Sequence, residues 1–279
     1  MESDRELVEN EDIEVELVLD ALLKKSDYDY RNYSRSHIKR RLSHRLTVSG
    51  YNRYSDMIPD IIYNPQFLNK LLSDLSINVT EMFRDPSFFL ELKDKIFPYI
   101  KTYPFVKIWH AGCSSGQEVY SMAILLSEDN LYEKSQIYAT DFNREILDVA
   151  KRAIYPIDTI KKYTNNYQQG GGQNSFADYY IADYDSAAII PSLKKNVLFS
   201  FHNLVTDGIF GEMHVIVCRN VLIYFDKELQ NSVLKLFYES LVPGGFLCLG
   251  SKESIRFSEV EKLFEVVSSS EKIFRKRVC

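Results

Sequence analysis

Two short stretches in the middle of the chain combine glycine and an acid at a spacing that suits a nucleotide-like ligand. Gly112 and Gly116 lie in a tight turn of small residues, between an apolar run and a helical pattern. Glycine permits a positive φ and close approach of the backbone to a ligand, and a helix N-terminus presents unpaired N–H groups. Asp141 ends a second apolar run, 25 residues after Gly116, and a carboxylate at such a strand end can bind both hydroxyls of a ribose. The alternative for Asp141 is an N-cap of the helix that follows it.

The glycine spacing narrows the class of ligand. A dinucleotide site has the pattern G-x-G-x-x-G, which cradles a pyrophosphate, whereas this turn has the looser pattern G-x-x-x-G. S-adenosylmethionine contains an adenosine but no pyrophosphate, so the turn suits that ligand better.

Polar residues elsewhere in the chain are candidates for the same site. The apolar segment at 77–85 contains three short polar or cationic groups, and two later apolar runs end in polar residues. Because the carboxyl ends of parallel strands meet at one edge of a sheet, we expect the strand-end residues to lie near Asp141. These candidates are Asn78, Thr80, Arg84, Asn203, Arg219 and Asn220.

The elements that must position these residues fall into two predicted domains. Residues 1–100 predict a small all-helical domain, which ends in a proline-containing linker at 97–104. Residues 105–279 alternate strands and helices, which predicts an α/β fold with a Rossmann-like sheet that is mostly parallel and has an antiparallel terminal hairpin. The insertion at about 156–195 predicts an excursion or a small β subdomain; for its Gly-Gln part a disordered loop is the alternative.

Composition excludes several classes of function. The chain has 279 residues, of which 45% are hydrophobic and 26% charged, enough for two folded domains. No run of about 18 apolar residues occurs, so we expect no membrane insertion and a cytoplasmic location. The four cysteines lack metal-ligand spacing, so we expect no metal site. The net charge of −5 argues against a nucleic-acid partner.

Charge is distributed unevenly in the first predicted domain. Residues 1–20 contain nine acids and one arginine, whereas residues 31–45 contain six Lys or Arg and no acid. The predicted helix 34–47 has an apolar stripe of Ile38, Leu42 and Leu46. Its opposite face is either a solvated surface or a docking face for an acidic partner, which residues 1–20 would shield until the partner displaces them. That face comprises His37, Arg40, Arg41 and His44, with Arg45 at its flank.

Six motifs occur together in an order that is similar to one protein family. The chain resembles the chemotaxis receptor glutamate methyltransferases, the CheR family, over nearly its whole length, and CRNVLIYFD is the most specific match. The motifs are IKRRLSHRL, NVTEMFRD, AGCSSGQEVYSMA, ATDFNREILDVAKRAIYP, CRNVLIYFD and LVPGGFLCLGSKES.

The resemblance implies an S-adenosylmethionine-dependent enzyme that esterifies glutamate side chains of membrane chemoreceptors and releases S-adenosylhomocysteine. It implies that the basic helix contacts the cytoplasmic helical region of those receptors, and that Arg84 and Tyr224 orient the reacting groups. Glu118 would bind the amino group of the methionine, and Asp141 would bind the ribose. The remaining implied cofactor contacts are Asn78, Thr80 and Arg84 on the N-terminal side of the pocket, and Asn203, Leu204, Arg219 and Asn220 around the adenine and the sulfonium.

The chain departs from the family pattern at three places. Gln117 replaces the first acid of a common Glu-Glu pair, and Ser251-Lys252 replaces His-Ser before Glu253. The insertion does not obviously match the subdomain that grips a receptor tail in some members. Two other functions therefore stay open: a methyltransferase of the same fold acting on another substrate, and a non-catalytic sensor or adaptor that binds S-adenosylmethionine or its product.

Overall fold

The chain divides into two compact units near residue 77. The computed structural model describes residues 2–26, 28–76 and 80–278, with the backbone alone for residues 2–8. The first unit comprises the N-terminal residues up to that division together with Ile223–Gln230, and the second comprises the rest. The division lies before the linker expected at 97–104, because Phe83, Phe88 and other apolar residues of the intervening segment are buried in the core of the second unit.

The first unit is built from helices whose apolar faces form a common core. Within it, α1 spans Glu2–Ser26, α2 spans Arg35–Ser49, α3 spans Ile58–Tyr63 and α4 spans Pro65–Leu75, with a 3-10 turn at Tyr54–Met57. Residues at helical spacing on α1 and α2 are buried, among them Val18, Leu22, Ile38 and Leu42. The acidic residues 9–20 therefore belong to α1, which contributes Val15, Val18 and Leu19 to this core.

The acidic side of α1 pairs with only part of the basic helix. Arg35 Nη2 lies 2.6 Å from Glu16 Oε1, and Lys39 Nζ lies 2.7 Å from Asp12 Oδ1. Arg40 and His44 stay exposed. In this arrangement α1 does not cover the exposed part of the face that residues 1–20 were expected to shield.

A late segment of the chain completes the first unit. Tyr33 forms an antiparallel bridge with Phe225, and their ring centroids are 5.0 Å apart. Ser34 N–H donates to the Tyr224 carbonyl at 2.8 Å, and Asp226 N–H donates to the Asn32 carbonyl at 2.9 Å. Residues 223–230 therefore add backbone hydrogen bonds and aromatic packing to a unit made mostly of the N-terminal residues.

The second unit contains a seven-stranded sheet with the order β6-β2-β1-β7-β8-β10-β9. The strands from β6 to β8 are parallel, and β10 is antiparallel to both β8 and β9. This arrangement confirms the predicted fold class. Its strands are β1 (Val106–Ala111), β2 (Ser135–Asp141), β6 (Val197–Phe201), β7 (Met213–Cys218), β8 (Leu241–Leu249), β9 (Phe264–Ser268) and β10 (Ile273–Lys276).

Helices accompany the sheet of the second unit. One of them, α7, has buried residues on nearly every side, because it is a central helix of the core. A short π-helical stretch at Leu92–Ile96 connects α5 and α6. The helices are α5 (Pro86–Glu91), α6 (Phe97–Ile100), α7 (Gln117–Glu128), α8 (Arg144–Arg152), α9 (Ile160–Gln169) and α10 (Lys227–Ser240), the last beginning in the segment shared with the first unit.

The insertion forms a small antiparallel sheet with the order β3-β5-β4. Its strands are β3 (Ile154–Pro156), β4 (Tyr180–Ala182) and β5 (Ser186–Ile189). The Gly-Gln segment is anchored to the end of α7, since Glu128 Oε1 accepts hydrogen bonds from Gln173 N–H at 3.1 Å and from the Tyr179 hydroxyl at 2.9 Å.

Among the described residues, no helix combines the length and the apolar character needed to cross a membrane.

Candidate functional site

The strand order of the sheet reverses next to β1, and the glycine turn lies at this point. β2 pairs with one side of β1 and β7 with the other, so the turn after β1 opens at the carboxyl edge of the sheet, where open α/β sheets bind ligands. Gly112 has φ 77°, and a Cβ there would lie 2.6 Å from Val221 Cγ2. Gly116, with φ 89°, is the N-cap of α7. Both glycines are thus required by the backbone itself.

Asp141 is tied to the glycine turn at the end of β2. Its Oδ2 accepts the Ser114 N–H at 2.9 Å, and its Oδ1 accepts the Asn143 N–H at 3.0 Å. The carboxylate does not cap α8, because Asn143 does so by accepting from Glu145 N–H and Ile146 N–H. Burial raises the pKa of Asp141, and the backbone N–H groups oppose that rise. Ser114 Oγ is buried here without a hydrogen-bond partner among the described residues.

A cluster of charged side chains links the start of α7, the end of β7 and the turn before α5. Arg219 Nη1 donates to Glu118 Oε2 at 3.0 Å, and Arg219 Nη2 donates to Asp85 Oδ2 at 2.7 Å. The guanidinium carbon of Arg219 lies 4.1 Å from the ring centroid of Phe88, and its side chain is only 2% exposed. On its other oxygen, Glu118 is 3.1 Å from His110 Nδ1. We call Asp85, His110, Glu118 and Arg219 the acidic cluster.

The carboxyl of Glu118 keeps its charge within the acidic cluster. Burial by itself raises the pKa of Glu118, but the hydrogen bond with His110 and the charge of Arg219 outweigh it, so the pKa of this carboxyl lies below its ordinary value. Glu118 is therefore ionised at neutral pH. The carboxylates of Glu118 and Asp85 both bind the guanidinium of Arg219, and carboxylate oxygens attract a cation.

Arg84 lies between two residues with left-handed backbone. Phe83 has φ 53° and Asp85 has φ 56°. Arg219 Nη1 also donates to the Arg84 carbonyl at 3.2 Å, and Phe83 N–H donates to Ser121 Oγ at 2.9 Å. These bonds fix the backbone on both sides of the Arg84 side chain. Thr80 lies just upstream and is half-buried, and Asn78 lies outside the described residues.

The turn after β7 is held by a carboxylate from the turn after β8. Glu253 is 4% exposed, and its oxygens accept the Asn220 N–H at 3.0 Å and the Val221 N–H at 2.8 Å. It also accepts the Gly250 N–H at 2.5 Å. Glu253 therefore fixes Asn220, whose φ is 61°, beside Arg219.

Asn203 follows β6, the neighbour of β2. His202 N–H donates to the Asp141 carbonyl at 3.2 Å, which places the two strand ends side by side. The Asn203 side-chain oxygen accepts the Val205 N–H at 3.0 Å, and the backbone N–H of Asn203 donates to Asp207 Oδ2 at 2.9 Å. Leu204 beside it is half-buried.

The other residues singled out from the sequence belong to the first unit. Tyr224 is half-buried, with its ring edge-on to His37 at a centroid distance of 5.1 Å. His37 Nδ1 is 3.2 Å from Arg40 Nη2. Burial lowers the pKa of His37, as do the charges of Arg40 and Arg41. Arg45 differs from the exposed face, because Asp74 Oδ2 binds its guanidinium at 2.5 Å and its side chain is 11% exposed.

In the second unit, the strand ends and turns carry groups that fit S-adenosylmethionine. A glycine turn with positive φ permits close approach of the ligand, and a buried carboxylate at the end of β2 suits ribose hydroxyls. The two carboxylates of the acidic cluster suit a ligand with a cationic end, and S-adenosylmethionine carries both an ammonium and a sulfonium. These features agree with the ligand expected from the sequence.

Sequence reasoning missed three members of these networks. No sequence pattern gave Asp85 or His110 a place in a site. Glu253 was noted only as the retained acid of a motif. Their contacts join residues far apart in sequence, such as Asp85 and Arg219 at a separation of 134 residues. Of the three missed residues, only Glu253 gave a sequence signal that could have been used, as the retained acid of its motif.

Comparison with known proteins identifies both units. A family model described as "CheR methyltransferase, SAM binding domain" matches residues 78–273, and one described as "CheR methyltransferase, all-alpha domain" matches residues 13–76.

Individual relatives agree with the family models. A Pseudomonas putida protein named "Putative methyltransferase Cher3" is 47% identical over 96% of this chain and 98% of its own length. A Vibrio cholerae "Chemotaxis protein methyltransferase 1" is 31% identical, covering 78% of this chain and 80% of its own. An uncharacterized 104.1 kDa protein of Rhodobacter capsulatus is 25% identical over 92% of this chain, but the chain spans only 27% of that protein. The chain belongs to the CheR family of S-adenosylmethionine-dependent methyltransferases.

Proposed function

We propose that this protein transfers a methyl group from S-adenosylmethionine to glutamate side chains of membrane chemoreceptors, giving glutamate methyl esters and S-adenosylhomocysteine. The observation that carries the proposal is the acidic cluster beside the glycine turn, with its ionised Glu118, in a chain of this methyltransferase family. Several relatives are named chemotaxis protein methyltransferases, which supports a role in chemotaxis. The location that we propose for this reaction is the cytoplasm.

The chemistry requires few catalytic groups. S-adenosylmethionine supplies a methyl group activated by its sulfonium. A glutamate side chain has a pKa of about 4.3, so at neutral pH it is already a nucleophile and needs no general base. The protein must orient the carboxylate and exclude water, and orientation alone is worth about 7–11 kcal/mol when the geometry is near-attack.

The proposed roles follow the sequence motifs and the local contacts. Asp141 binds the ribose hydroxyls with the lone pairs that Ser114 and Asn143 leave unused. Glu118 receives the ammonium of the methyl donor. Arg84 orients the substrate carboxylate. The remaining proposed cofactor contacts are Asn78, Thr80, Gly112, Gly116, Asn203, Leu204, Arg219 and Asn220.

The role of Tyr224 rests on its motif alone. The motif CRNVLIYFD is the most specific part of the resemblance, and it places a hydroxyl at this position. We assign that hydroxyl a hydrogen bond near the methyl donor.

The departures from the family pattern do not remove a charged group from these networks. Gln117 is buried and accepts a hydrogen bond from Ser115 Oγ at 2.7 Å. Ser251 and Lys252 are exposed, whereas the retained Glu253 is buried and bonded to the backbone. This supports an active enzyme over a sensor or adaptor that only binds the cofactor.

The proposed receptor contact is the exposed part of the basic helix. Arg40 and His44 are exposed, and His37 and Arg41 are half-buried beside them. Arg45 forms a salt bridge with Asp74 within the first unit, so we place it outside the docking face. An acidic stretch of receptor helix is the chemistry that this face suits.

The test is the transfer of labelled methyl from S-adenosylmethionine to receptor-containing membranes, followed by mild alkali. Label released as methanol is the expected result, because carboxyl methyl esters hydrolyse in alkali. Label that survives alkali would identify a different methyl acceptor. Binding of S-adenosylhomocysteine without any transfer would indicate the sensor or adaptor function.

A further inference from the structure

His110 is a buried titratable side chain for which the proposed chemistry has no use. It lies on β1, is 1% exposed, and pairs in the sheet with Ala139 on one side and Val217 on the other. Its Nδ1 is 3.1 Å from Glu118 Oε1. Its Nε2 is buried without a hydrogen-bond partner among the described residues. Among the described residues, Glu118 is thus the hydrogen-bond partner of this imidazole.

The identity of the partner fixes the tautomer. An ionised carboxylate can only accept, so the proton of the contact belongs to His110 Nδ1. Nε2 has no such partner among the described residues. An unpaired polar atom in a core opposes folding, and an apolar side chain would fill the same space without that penalty. The hydrogen bond to Glu118 accounts for an imidazole at this position.

Two donors approach Glu118 from different elements. His110 of β1 holds Oε1, and Arg219 at the end of β7 holds Oε2 at 3.0 Å. Arg219 is itself bound by Asp85 at 2.7 Å, so it would still hold one oxygen if His110 were removed. The carboxylate would then be free to turn about its remaining contact. Rigid support of this kind decides how well a binding group meets its ligand.

We propose that His110 is a positioning residue for the methyl donor: its Nδ1–H orients the Glu118 carboxylate toward the ammonium group of S-adenosylmethionine and of its product. The proposal rests on the place given to Glu118 in the proposed function. It assigns His110 no contact with the donor and no proton transfer. Its effect falls on ligands that have the ammonium group and spares those that lack it.

The variants His110→Asn, His110→Gln and His110→Ala separate the hydrogen bond from the volume of the side chain. Asparagine places an amide N–H near the position of Nδ1, whereas glutamine places it near that of Nε2. If the hydrogen bond matters, asparagine preserves the function and the larger glutamine does not. A packing role would instead favour glutamine or rank the variants by size.

The experiment is calorimetric titration of the full chain with S-adenosylhomocysteine and with 5′-methylthioadenosine, which lacks the amino-acid part. We expect His110→Ala and His110→Gln to weaken S-adenosylhomocysteine binding by about tenfold, the effect of one charge-assisted hydrogen bond, and His110→Asn to stay within about threefold of the wild type. Binding of 5′-methylthioadenosine should not change, which also shows that each variant is folded.

A fourth variant, Glu118→Gln, distinguishes this inference from the proposed function. If it weakens S-adenosylhomocysteine binding while His110→Ala and His110→Gln do not, the positioning role of His110 is overturned, but the proposed contact between Glu118 and the ammonium group stands. If Glu118→Gln has no effect either, that contact is overturned, and the inference about His110 with it. Equal loss in His110→Asn and His110→Ala, or a parallel loss of 5′-methylthioadenosine binding, would overturn the hydrogen-bond role.

Discussion

Arg84 shows how single residues are held for chemistry in this protein. Its neighbours Phe83 and Asp85 both have left-handed backbone, which opposes folding by about 1–2 kcal/mol for each residue. Arg219 and Ser121 offset this strain with hydrogen bonds to the same short segment. A backbone that is strained and held on both sides gives its side chain a defined origin, as binding residues require.

At this residue we expect Arg84→Ala to lower turnover at saturating donor by on the order of 100-fold, the scale of losing substrate orientation. Arg84→Lys should recover only part of the activity, since an ammonium keeps the charge but not the planar fork.

Tyr224→Phe should lower turnover by up to about tenfold, the effect of one neutral hydrogen bond. The measurement is methyl transfer to receptor membranes, and wild-type turnover in both Arg84→Ala and Tyr224→Phe would show that the assignment is wrong.

The sequence predicted individual site residues where the signal was local. Asp141 ends an apolar strand pattern, and the structure places it against the glycine turn through Ser114. Asp85 and His110 could not be found in this way, because their partners lie elsewhere in the chain and sequence patterns carry no such pairing. The motif named Glu253, but its hydrogen bonds to backbone N–H groups of the turn after β7 could not be predicted for the same reason.

At the scale of elements, the turn between β1 and α7 is limited by space as well as by backbone conformation. Gly112 has φ 77°, and a Cβ there would meet Val221 Cγ2 at 2.6 Å. Gly244 has a similar φ of 76°, but its nearest neighbour would be 3.5 Å away. Of these two glycines, only Gly112 is approached this closely by another turn.

We expect Gly112→Ala to lower the free energy of unfolding by about 2–4 kcal/mol, from the left-handed backbone and the overlap together. Gly244→Ala is the matched control and should lower it by about 1–2 kcal/mol, since only the backbone effect remains. The double variant Gly112→Ala/Val221→Ala should lose less than the sum of the two single changes. Urea unfolding followed by the fluorescence of Trp109, which is buried in the second unit, measures all of them, and an equal effect of the two glycine changes would contradict the steric argument.

Element types were predictable, but the boundary between the units was not. Strand and helix periods indicated the sheet and the helices well. The segment 80–100 has the same helical character as the preceding residues, and only the burial of Phe83 and Phe88 in the core of the second unit assigns it there. No local sequence pattern predicts that residues 223–230 join the first unit, because this depends on pairing between Tyr33 and Phe225.

At the scale of the whole molecule, the net charge of −5 contrasts with the exposed basic helix face. If that face docks an acidic receptor helix, reversing the charge of one of its residues should change the affinity for the receptor and leave the cofactor site unchanged. We expect Arg40→Glu to weaken binding to receptor membranes several-fold at low salt and to have less effect as ionic strength rises.

The control for this prediction is Lys70→Glu, an equal change of charge at another exposed position of the first unit. Co-sedimentation with receptor membranes at several salt concentrations makes the comparison. Equal weakening by the two variants would show a general charge effect and contradict a specific docking face. Deleting residues 1–20 is a poorer test of the face, because it also removes Val15, Val18 and Leu19 from the core.

The return of Ile223–Gln230 to the first unit also bears on how the protein is made. A ribosome synthesises the N-terminal helices first, but their remaining partners Tyr224 and Phe225 emerge only after about 150 further residues. At roughly 5–20 residues per second, the nascent helices wait for about 8–30 s before the unit is complete. The first unit is thus the first to be synthesised and cannot be finished before the sheet strands up to β7 have left the ribosome.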